Sequence, residues 1–162
     1  MEENMEANDS TSTPANDSTT PSLYKTPEPT DLAQSSGQPV SNSTGKRVLC
    51  IEDEAFIGDL YKHALLKAGY QADIINDGKT GLDMAQTGNY DIILLDIVIP
   101  QLLGIDVLHE LRKNPDLKSK IIIATNLEQD DETRAAVEKE ADAYIIKAEI
   151  TPSQLVEFLK NF

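Results

Sequence analysis

Cysteine, tryptophan and long apolar stretches are scarce or missing in this chain, and each shortage excludes a class of protein. Cys50 is the only cysteine among 162 residues, so no intrachain disulfide can form. No apolar run approaches the roughly 18 residues that a membrane-spanning helix needs, and the N-terminal stretch MEENMEANDS has neither the basic nor the apolar region of a secretory signal. We therefore expect a soluble, cytoplasmic protein.

Positive charge is also scarce. Asp and Glu number 28 against 14 Lys and Arg, which gives a formal net charge of −14 at pH 7. A surface of this sign repels nucleic-acid phosphates and anionic membranes. The composition therefore predicts neither direct nucleic-acid binding nor binding to a membrane.

Residues 1–45 differ in composition from the rest of the chain. They consist mostly of Ser, Thr, Pro, Asn and acidic residues, and they contain few large apolar side chains. Such a segment cannot bury enough apolar surface to offset the entropy lost on ordering. We predict a disordered, low-complexity N-terminal tail at 1–45 and one folded domain at 46–162, where apolar residues become dense and periodic.

Short apolar runs alternate with longer amphipathic segments through the predicted domain. Five runs have the length of strands: RVLCI (47–51), QADII (71–75), DIILL (91–95), KIIIAT (120–125) and AYII (143–146). Five segments have helical character: 54–68, 79–87, 104–113, 129–139 and a last one capped by Thr151. Continuous Ile-rich runs suit strands that are covered on both faces. The alternation predicts an α/β fold with a five-stranded, parallel, doubly wound (βα)5 sheet of order 2-1-3-4-5, a flavodoxin-like architecture.

Three acidic side chains follow two strands that are neighbours in this predicted order. Asp96 ends the apolar run of strand 3, and Glu52 and Asp53 follow strand 1. Ligands of such sheets bind beyond the carboxyl ends of the strands, at the switch point between strands 1 and 3. Since neither His nor a second Cys lies near in the sequence, the cluster of carboxylate oxygens is typical of a hard cation, and we predict Mg²⁺.

Polar residues also end strands 4 and 5. Thr125 closes strand 4, and Lys147 follows strand 5. Either residue alone would usually be structural or solvated. In the predicted order both project towards the same crevice as Asp96, where an ammonium group stabilises charge on a phosphoryl group and a hydroxyl donates a hydrogen bond to it.

Together these residues resemble the receiver domain of two-component response regulators, and the resemblance extends over 46–162. The motifs that carry it are IEDE (51–54), DIVIPQLLG (96–104), Thr125 after strand 4, and ADAYIIK (141–147). This set, in this order and on a fivefold βα pattern, is far more specific than any one of the motifs alone.

The resemblance implies a chemical role for each residue at the strand ends. Asp96 would accept a phosphoryl group from a histidine kinase or phosphotransfer protein, and Lys147 would pair with Asp96 and then with the phosphoryl group. The implied Mg²⁺ ligands are Glu52, Asp53, Asp96 and the backbone carbonyl of Val98. The chain would be a signalling protein and not an enzyme, catalysing only its own phosphorylation and dephosphorylation.

The resemblance also implies a conformational switch. Thr125 would move towards the phosphoryl oxygens, and Tyr144 would change rotamer with it. The responding surface would be formed by helix 4, strand 5 and helix 5, and it would bind a downstream protein of unknown identity or a second copy of the chain. Because the sequence ends shortly after the last predicted helix, we expect a stand-alone receiver.

Several positions depart from the pattern that the resemblance implies. Ala148 stands where a Pro commonly follows the lysine, Asn126 stands where a small residue is usual, and Glu140 stands where Gly is frequent. Val98 and Leu127 occupy positions that often tune dephosphorylation, and neither side chain can orient an attacking water. We therefore expect slow self-dephosphorylation.

Three other functions fit the predicted fold. A flavin- or nucleotide-binding module needs a Gly/Ser/Thr-rich phosphate loop after strand 1, where this chain has EDEAF (52–56). A Mg²⁺-dependent hydrolase with an aspartyl-phosphate usually has a second Asp two residues after the nucleophile, where this chain has Val98. A pseudo-receiver that acts as a protein-interaction scaffold without phosphorylation is the third alternative. The full set of site residues argues against it, and the departures at Asn126 and Ala148 keep it open.

Overall fold

The computed structural model of the chain describes residues 44–126 and 131–162, with the side chains of 131–133 excepted. The predicted disordered tail at 1–45 lies outside this range apart from its last two residues, so its disorder stays a prediction. Within the described residues no helix is both long enough and apolar enough to cross a membrane.

Strands and helices alternate along the described residues, as the sequence predicts. The strands are β1 (Arg47–Ile51), β2 (Gln71–Ile75), β3 (Ile92–Leu95), β4 (Lys120–Thr125) and β5 (Ala143–Ile146). The helices are α1 (Ala55–Lys67), α2 (Gly78–Ala85), α3 (Gly104–Arg112), α4 (Asp131–Glu140) and α5 (Pro152–Leu159), and a 3₁₀ turn (Lys147–Glu149) precedes the last helix. All strand pairs are parallel, and the sheet order is β2-β1-β3-β4-β5. The predicted fold class and strand order are therefore confirmed.

Each face of the sheet carries its own apolar core. Side chains alternate along β1, so Leu49 and Ile51 pack with α2, α3 and α4, whereas Val48 and Cys50 pack with α1 and α5. Because helices cover both faces, the central strands need apolar residues at every position, and this explains the uninterrupted run of β3 (Ile92–Leu95). Cys50 is a buried core residue, and burial raises the pKa of its thiol.

Local sequence signals begin and end the helices. The Asp77 carboxylate accepts a hydrogen bond from the backbone N–H of Thr80 (2.8 Å) at the start of α2, and this bond lowers the pKa of Asp77. Thr151 and Gln154 form a reciprocal capping box at the start of α5, where Thr151 was predicted to cap the helix. Gly69, with a φ of +87°, follows α1 in a conformation that favours glycine.

Gly104 brings the start of α3 against the end of β3. Its backbone N–H donates to the carbonyl of Ile97 (2.9 Å), and a Cβ atom built on it would lie 1.9 Å from the carbonyl oxygen of Asp96. Only a residue without a side chain fits this approach. The position of Asp96 therefore depends on a glycine eight residues later in the chain, at the end of the DIVIPQLLG motif.

Candidate functional site

The carboxyl ends of β1, β3, β4 and β5 enclose a cleft of about 330 Å³. Its lining residues are polar or charged except one: Asp53, Glu54, Asp96, Val98, Thr125, Asn126 and Lys147. Glu52 is 2% exposed and Asp96 is 5% exposed, whereas Asp53 is exposed. The sheet order explains this convergence, because the connections that follow β1 and β3 run in opposite directions and leave an opening at the switch point between these two strands.

Backbone hydrogen bonds extend the sheet to the two buried acids. The N–H of Glu52 donates to the carbonyl of Ile75 (2.8 Å), and the N–H of Asp96 donates to the carbonyl of Ile51 (3.0 Å). The Asp96 carboxylate also accepts a hydrogen bond at Oδ1 from the N–H of Val98 (3.2 Å). The hydrogen bonds of the Asp96 backbone N–H and of Oδ1 therefore fix Asp96 independently of its ion pair with Lys147.

Lys147 connects the two buried carboxylates. Its Nζ atom donates to Asp96 Oδ2 at 2.7 Å and to the two oxygens of Glu52 at 2.8 and 3.0 Å, and it lies 3.6 Å from an oxygen of Glu54. Burial lowers the pKa of Lys147, but the hydrogen bonds and charges of Asp96 and Glu52 outweigh burial and raise it. Lys147 is thus a permanent cation on the wall of the cleft.

The negative charge of the cleft exceeds what Lys147 can neutralise. Burial raises the pKa of Glu52, and the hydrogen bond from Lys147 only partly offsets that effect. Glu52, Asp53 and Asp96 can each offer one oxygen such that the three oxygens lie within 4.8 Å of one another. A set of three carboxylate oxygens without nitrogen or sulfur donors fits a hard divalent cation such as Mg²⁺, which takes one or two carboxylates and keeps several waters.

The two predicted switch residues lie in different places. Thr125 ends β4, is buried, and lines the cleft together with the exposed Asn126. Tyr144 lies half-buried on β5 and lines a second groove between α4, β5 and α5. The structure therefore brings together Glu52, Asp53, Asp96, Thr125 and Lys147, with Val98 at the rim, and leaves Tyr144 outside the cleft.

Neither a role for Glu54 nor the ion pair between Glu52 and Lys147 was predicted from the sequence. Glu54 lies at the rim, 58% exposed, and its backbone N–H donates to Glu52 Oε1 (3.2 Å). The signal in the sequence was the third acid of IEDE. Ala148, which replaces the common proline, lies in the 3₁₀ turn after Lys147, and Leu127 lies outside the described residues.

A parallel five-stranded sheet with clustered carboxylates and a lysine at its carboxyl edge defines a receiver-type domain. Residues 48–160 match the family model described as response regulator receiver domain. This match covers more than half of the chain. The chain therefore belongs to the response regulator receiver domain family.

Individual relatives agree with this assignment. The transcriptional regulatory protein PcoR of Escherichia coli is 34% identical over 102 residues, which cover 63% of this chain and 45% of PcoR. The solved structure of a CheY-like receiver domain protein from Methanospirillum hungatei JF-1 is 28% identical, has a TM-score of 0.65, and covers 73% of this chain and 93% of its own. The Mn²⁺-bound form of response regulator Rcp1 is 25% identical and has a TM-score of 0.62. The match covers 72% of this chain and 93% of the Rcp1 chain. The chain spans less than half the length of the curated relatives it matches.

Proposed function

We propose that this chain is a response regulator that accepts a phosphoryl group on Asp96 from a histidine kinase or phosphotransfer protein. The observation that supports it most strongly is the pairing of a buried, doubly hydrogen-bonded Asp96 with Lys147 at 2.7 Å, in a cleft open to solvent. A carboxylate oxygen of Asp96 attacks phosphorus, and the bond from phosphorus to the donor's imidazole nitrogen breaks as the new oxygen–phosphorus bond forms. The product is an aspartyl-phosphate.

The residues around Asp96 position the reacting groups and balance their charge. The N–H of Val98 and the ammonium of Lys147 hold the two oxygens of Asp96 in place, which reduces the entropy lost on reaching the transition state. Lys147 then pairs with the oxygens of the transferred group, and Thr125 donates its hydroxyl to one of them. Mg²⁺ held by Glu52, Asp53, Asp96 and the Val98 carbonyl would neutralise the charge of the incoming phosphoryl group. The Mn²⁺-bound relative supports this choice of a divalent cation.

We further propose that phosphorylation changes the surface formed by α4, β5 and α5 through Thr125 and Tyr144. This surface is the proposed docking site for a downstream protein or for a second copy of the chain. The protein is on this proposal a cytoplasmic signalling protein, and its only catalysis is that of its own phosphorylation and dephosphorylation. The stand-alone arrangement expected from the sequence stays a prediction.

Phosphorylation by acetyl phosphate, followed by intact mass, tests the proposed function. We expect a gain of one phosphoryl group that requires Mg²⁺ and that is lost in Asp96→Asn. Asp59→Asn, which makes the same chemical change on exposed α1, is the matched control and should be modified as the wild type is. A gain that persists in Asp96→Asn would contradict the assignment of the phosphoacceptor.

The pseudo-receiver is the alternative, and Asn126 is the observation that favours it. This residue is exposed on the rim of the cleft, at the position where the resemblance implies a small residue. If neither acetyl phosphate nor beryllofluoride binds productively to the wild type, the chain is a phosphorylation-independent scaffold.

A further inference from the structure

Arg134 on α4 covers the ring of Tyr144, the residue to which the proposed function gives the switching role. The Cζ atom of its guanidinium lies 4.9 Å from the centre of the Tyr144 ring. A guanidinium over the face of an aromatic ring is attracted by the negative charge density of that face. Tyr144 is half-buried, and one face of its ring packs against the core. Arg134 therefore covers the face of the ring that is turned towards the groove.

An acidic residue on the same helix positions Arg134. The Nε atom of Arg134 donates to Glu138 Oε1 at 2.8 Å, one helical turn further along α4. Glu149, after β5, lines the same groove and adds negative charge to the surroundings of the guanidinium. Tyr144 therefore cannot leave the groove wall without losing its contact with a guanidinium that Glu138 holds in place.

A second arginine–tyrosine pair in the same domain provides a comparison, because its tyrosine ring is also fixed by contacts other than the cation. The Cζ atom of Arg47 also lies 4.9 Å from the ring centre of Tyr90. Tyr90 is 6% exposed and its hydroxyl donates to Asp73 Oδ2 at 2.9 Å, so burial and this hydrogen bond fix the ring independently of the cation. At Tyr144 the cation lies on a surface helix that belongs to the proposed responding surface.

We propose that Arg134 is a positioning residue that holds Tyr144 in the rotamer seen here and so opposes the switch to the phosphorylated conformation. The inference rests on the proposed function, because it concerns the residue through which phosphorylation is proposed to act. Lys147 pairs directly with both Asp96 and Glu52 in this structure, which is the arrangement of the unmodified carboxylate. Removal of the Arg134 contact therefore favours the activated state.

Fluorine NMR of the full chain labelled with 3-fluorotyrosine measures the contact directly. The chain has five tyrosines, and Tyr144→Phe identifies the resonance of Tyr144. Arg134→Met keeps an unbranched side chain but removes the charge, whereas Arg134→Lys keeps the charge. We expect the Tyr144 resonance to move in Arg134→Met towards its position in the beryllofluoride complex, and to return part of the way in Arg134→Lys.

Affinity for beryllofluoride with Mg²⁺ measures the effect on the switch. An exposed cation–π contact predicts that Arg134→Met binds this acyl-phosphate mimic about two- to fivefold more tightly than the wild type. Lys139→Met, an exposed position on another side of α4, is the matched control and should leave affinity and resonance unchanged. The Tyr90 resonance should not move in any of these variants.

The outcomes separate this inference from the proposed function. If the wild type binds beryllofluoride and Arg134→Met behaves as Lys139→Met does, the positioning role of Arg134 is overturned and the proposed function stands. If the wild type fails to bind beryllofluoride at all, the proposed function fails and this inference fails with it.

Discussion

The two ends of the sheet both hold clusters of carboxylates and cations, but the clusters differ in composition. At the amino end, Asp142 accepts hydrogen bonds from Arg112 (2.7 Å), from Lys120 (2.8 Å) and from the backbone N–H of Ile121 (2.9 Å). At the carboxyl end, Lys147 is the one side-chain cation that the described residues pair with the two buried carboxylates of the cleft, and each carboxylate also accepts one backbone N–H. One cluster has an excess of donors, and the other has an excess of negative charge.

The pKa values of the acids differ in the same way. Burial opposes the ionisation of Asp142, but the bonds from Lys120, Ile121 and Arg112 outweigh burial and lower its pKa. Burial dominates at Glu52 and raises its pKa. The Asp142 cluster is therefore a structural tie between α3, β4 and β5, whereas the cleft keeps unneutralised negative charge that fits a divalent cation.

Lys147→Met should give the largest loss of stability, because it leaves two buried carboxylates without a cation. Removal of one partner from a buried ion pair costs about 3–5 kcal/mol. The raised pKa of Lys147 means that the wild type keeps this contribution below the unfolded lysine value of about 10.4 and loses it only as the pH rises through the folded value. The free energy of unfolding in urea, measured with and without Mg²⁺, checks the prediction.

Two properties of Lys147→Met distinguish the loss of the lysine charge from the loss of side-chain packing. Mg²⁺ should stabilise Lys147→Met more than the wild type, because the metal replaces the missing cation. The pKa of Glu52 should rise further, so the variant gains stability as the pH falls towards the unfolded Glu value of about 4.3. The control is Lys79→Met, which breaks an exposed pair with Asp83 and should cost under about 1 kcal/mol. Equal losses in the two variants would contradict the account.

Gly104→Ala should destabilise the domain by about 1–3 kcal/mol and slow phosphorylation, because its methyl group meets the carbonyl of Asp96. The matched control, Gly88→Ala, lies near the other end of the sheet with open space around its Cβ position and a φ of +70°. It should lose only about 1–2 kcal/mol from backbone strain and should be phosphorylated at the wild-type rate. A normal rate of phosphorylation in Gly104→Ala would show that Asp96 does not depend on this approach.

Asp142→Asn should cost about 1–2 kcal/mol at neutral pH, since Asn keeps one acceptor oxygen but loses the charge. The lowered pKa of Asp142 stabilises the fold above the unfolded Asp value of about 3.9, and this contribution is lost as the pH falls through the folded value. In acid the stability of the wild type should therefore fall towards that of Asp142→Asn, whereas the stability of Lys147→Met should rise towards that of the wild type. If Asp142→Asn also gained stability in acid as Lys147→Met does, the contrast between the two ends would be lost.

Val98→Asn should change stability least, because Val98 is 51% exposed on the rim of the cleft. Its expected effect is kinetic. An amide beside Asp96 can orient an attacking water, so the lifetime of the aspartyl-phosphate should shorten by roughly tenfold. This change is smaller than the rate increase that a positioned general base gives. Leu103→Asn, a similar change at an exposed position of the same loop, is the control. A wild-type lifetime of only seconds would contradict the prediction of slow self-dephosphorylation.

The fold was predictable because its signals are local. Apolar runs of strand length alternate with amphipathic segments, and Asp96 is the polar residue that directly follows β3. The convergence of Glu52, Asp96 and Lys147 followed from the strand order. The pairing of Lys147 with Asp96 was implied by the family resemblance, whereas its pairing with Glu52 was not predicted, because nothing in the sequence indicates that one lysine binds two carboxylates.

Contacts between distant elements were not predictable. Asp142 joins Arg112, 30 positions earlier, and Lys120, 22 positions earlier, and nothing in the spacing indicates these bonds. The contact of Gly104 with the Asp96 carbonyl and that of Arg134 with Tyr144 likewise depend on how helices pack on the finished sheet. Such contacts are set by three-dimensional packing and not by the local pattern.

Chemical trapping of the aspartyl-phosphate identifies the phosphoacceptor. Borohydride reduces an aspartyl-phosphate to homoserine, and peptide mass spectrometry then identifies the modified position. We expect homoserine at position 96, only after incubation with a phosphodonor and Mg²⁺. Homoserine at Asp53 or at another aspartate in its place would contradict the role given to Asp96.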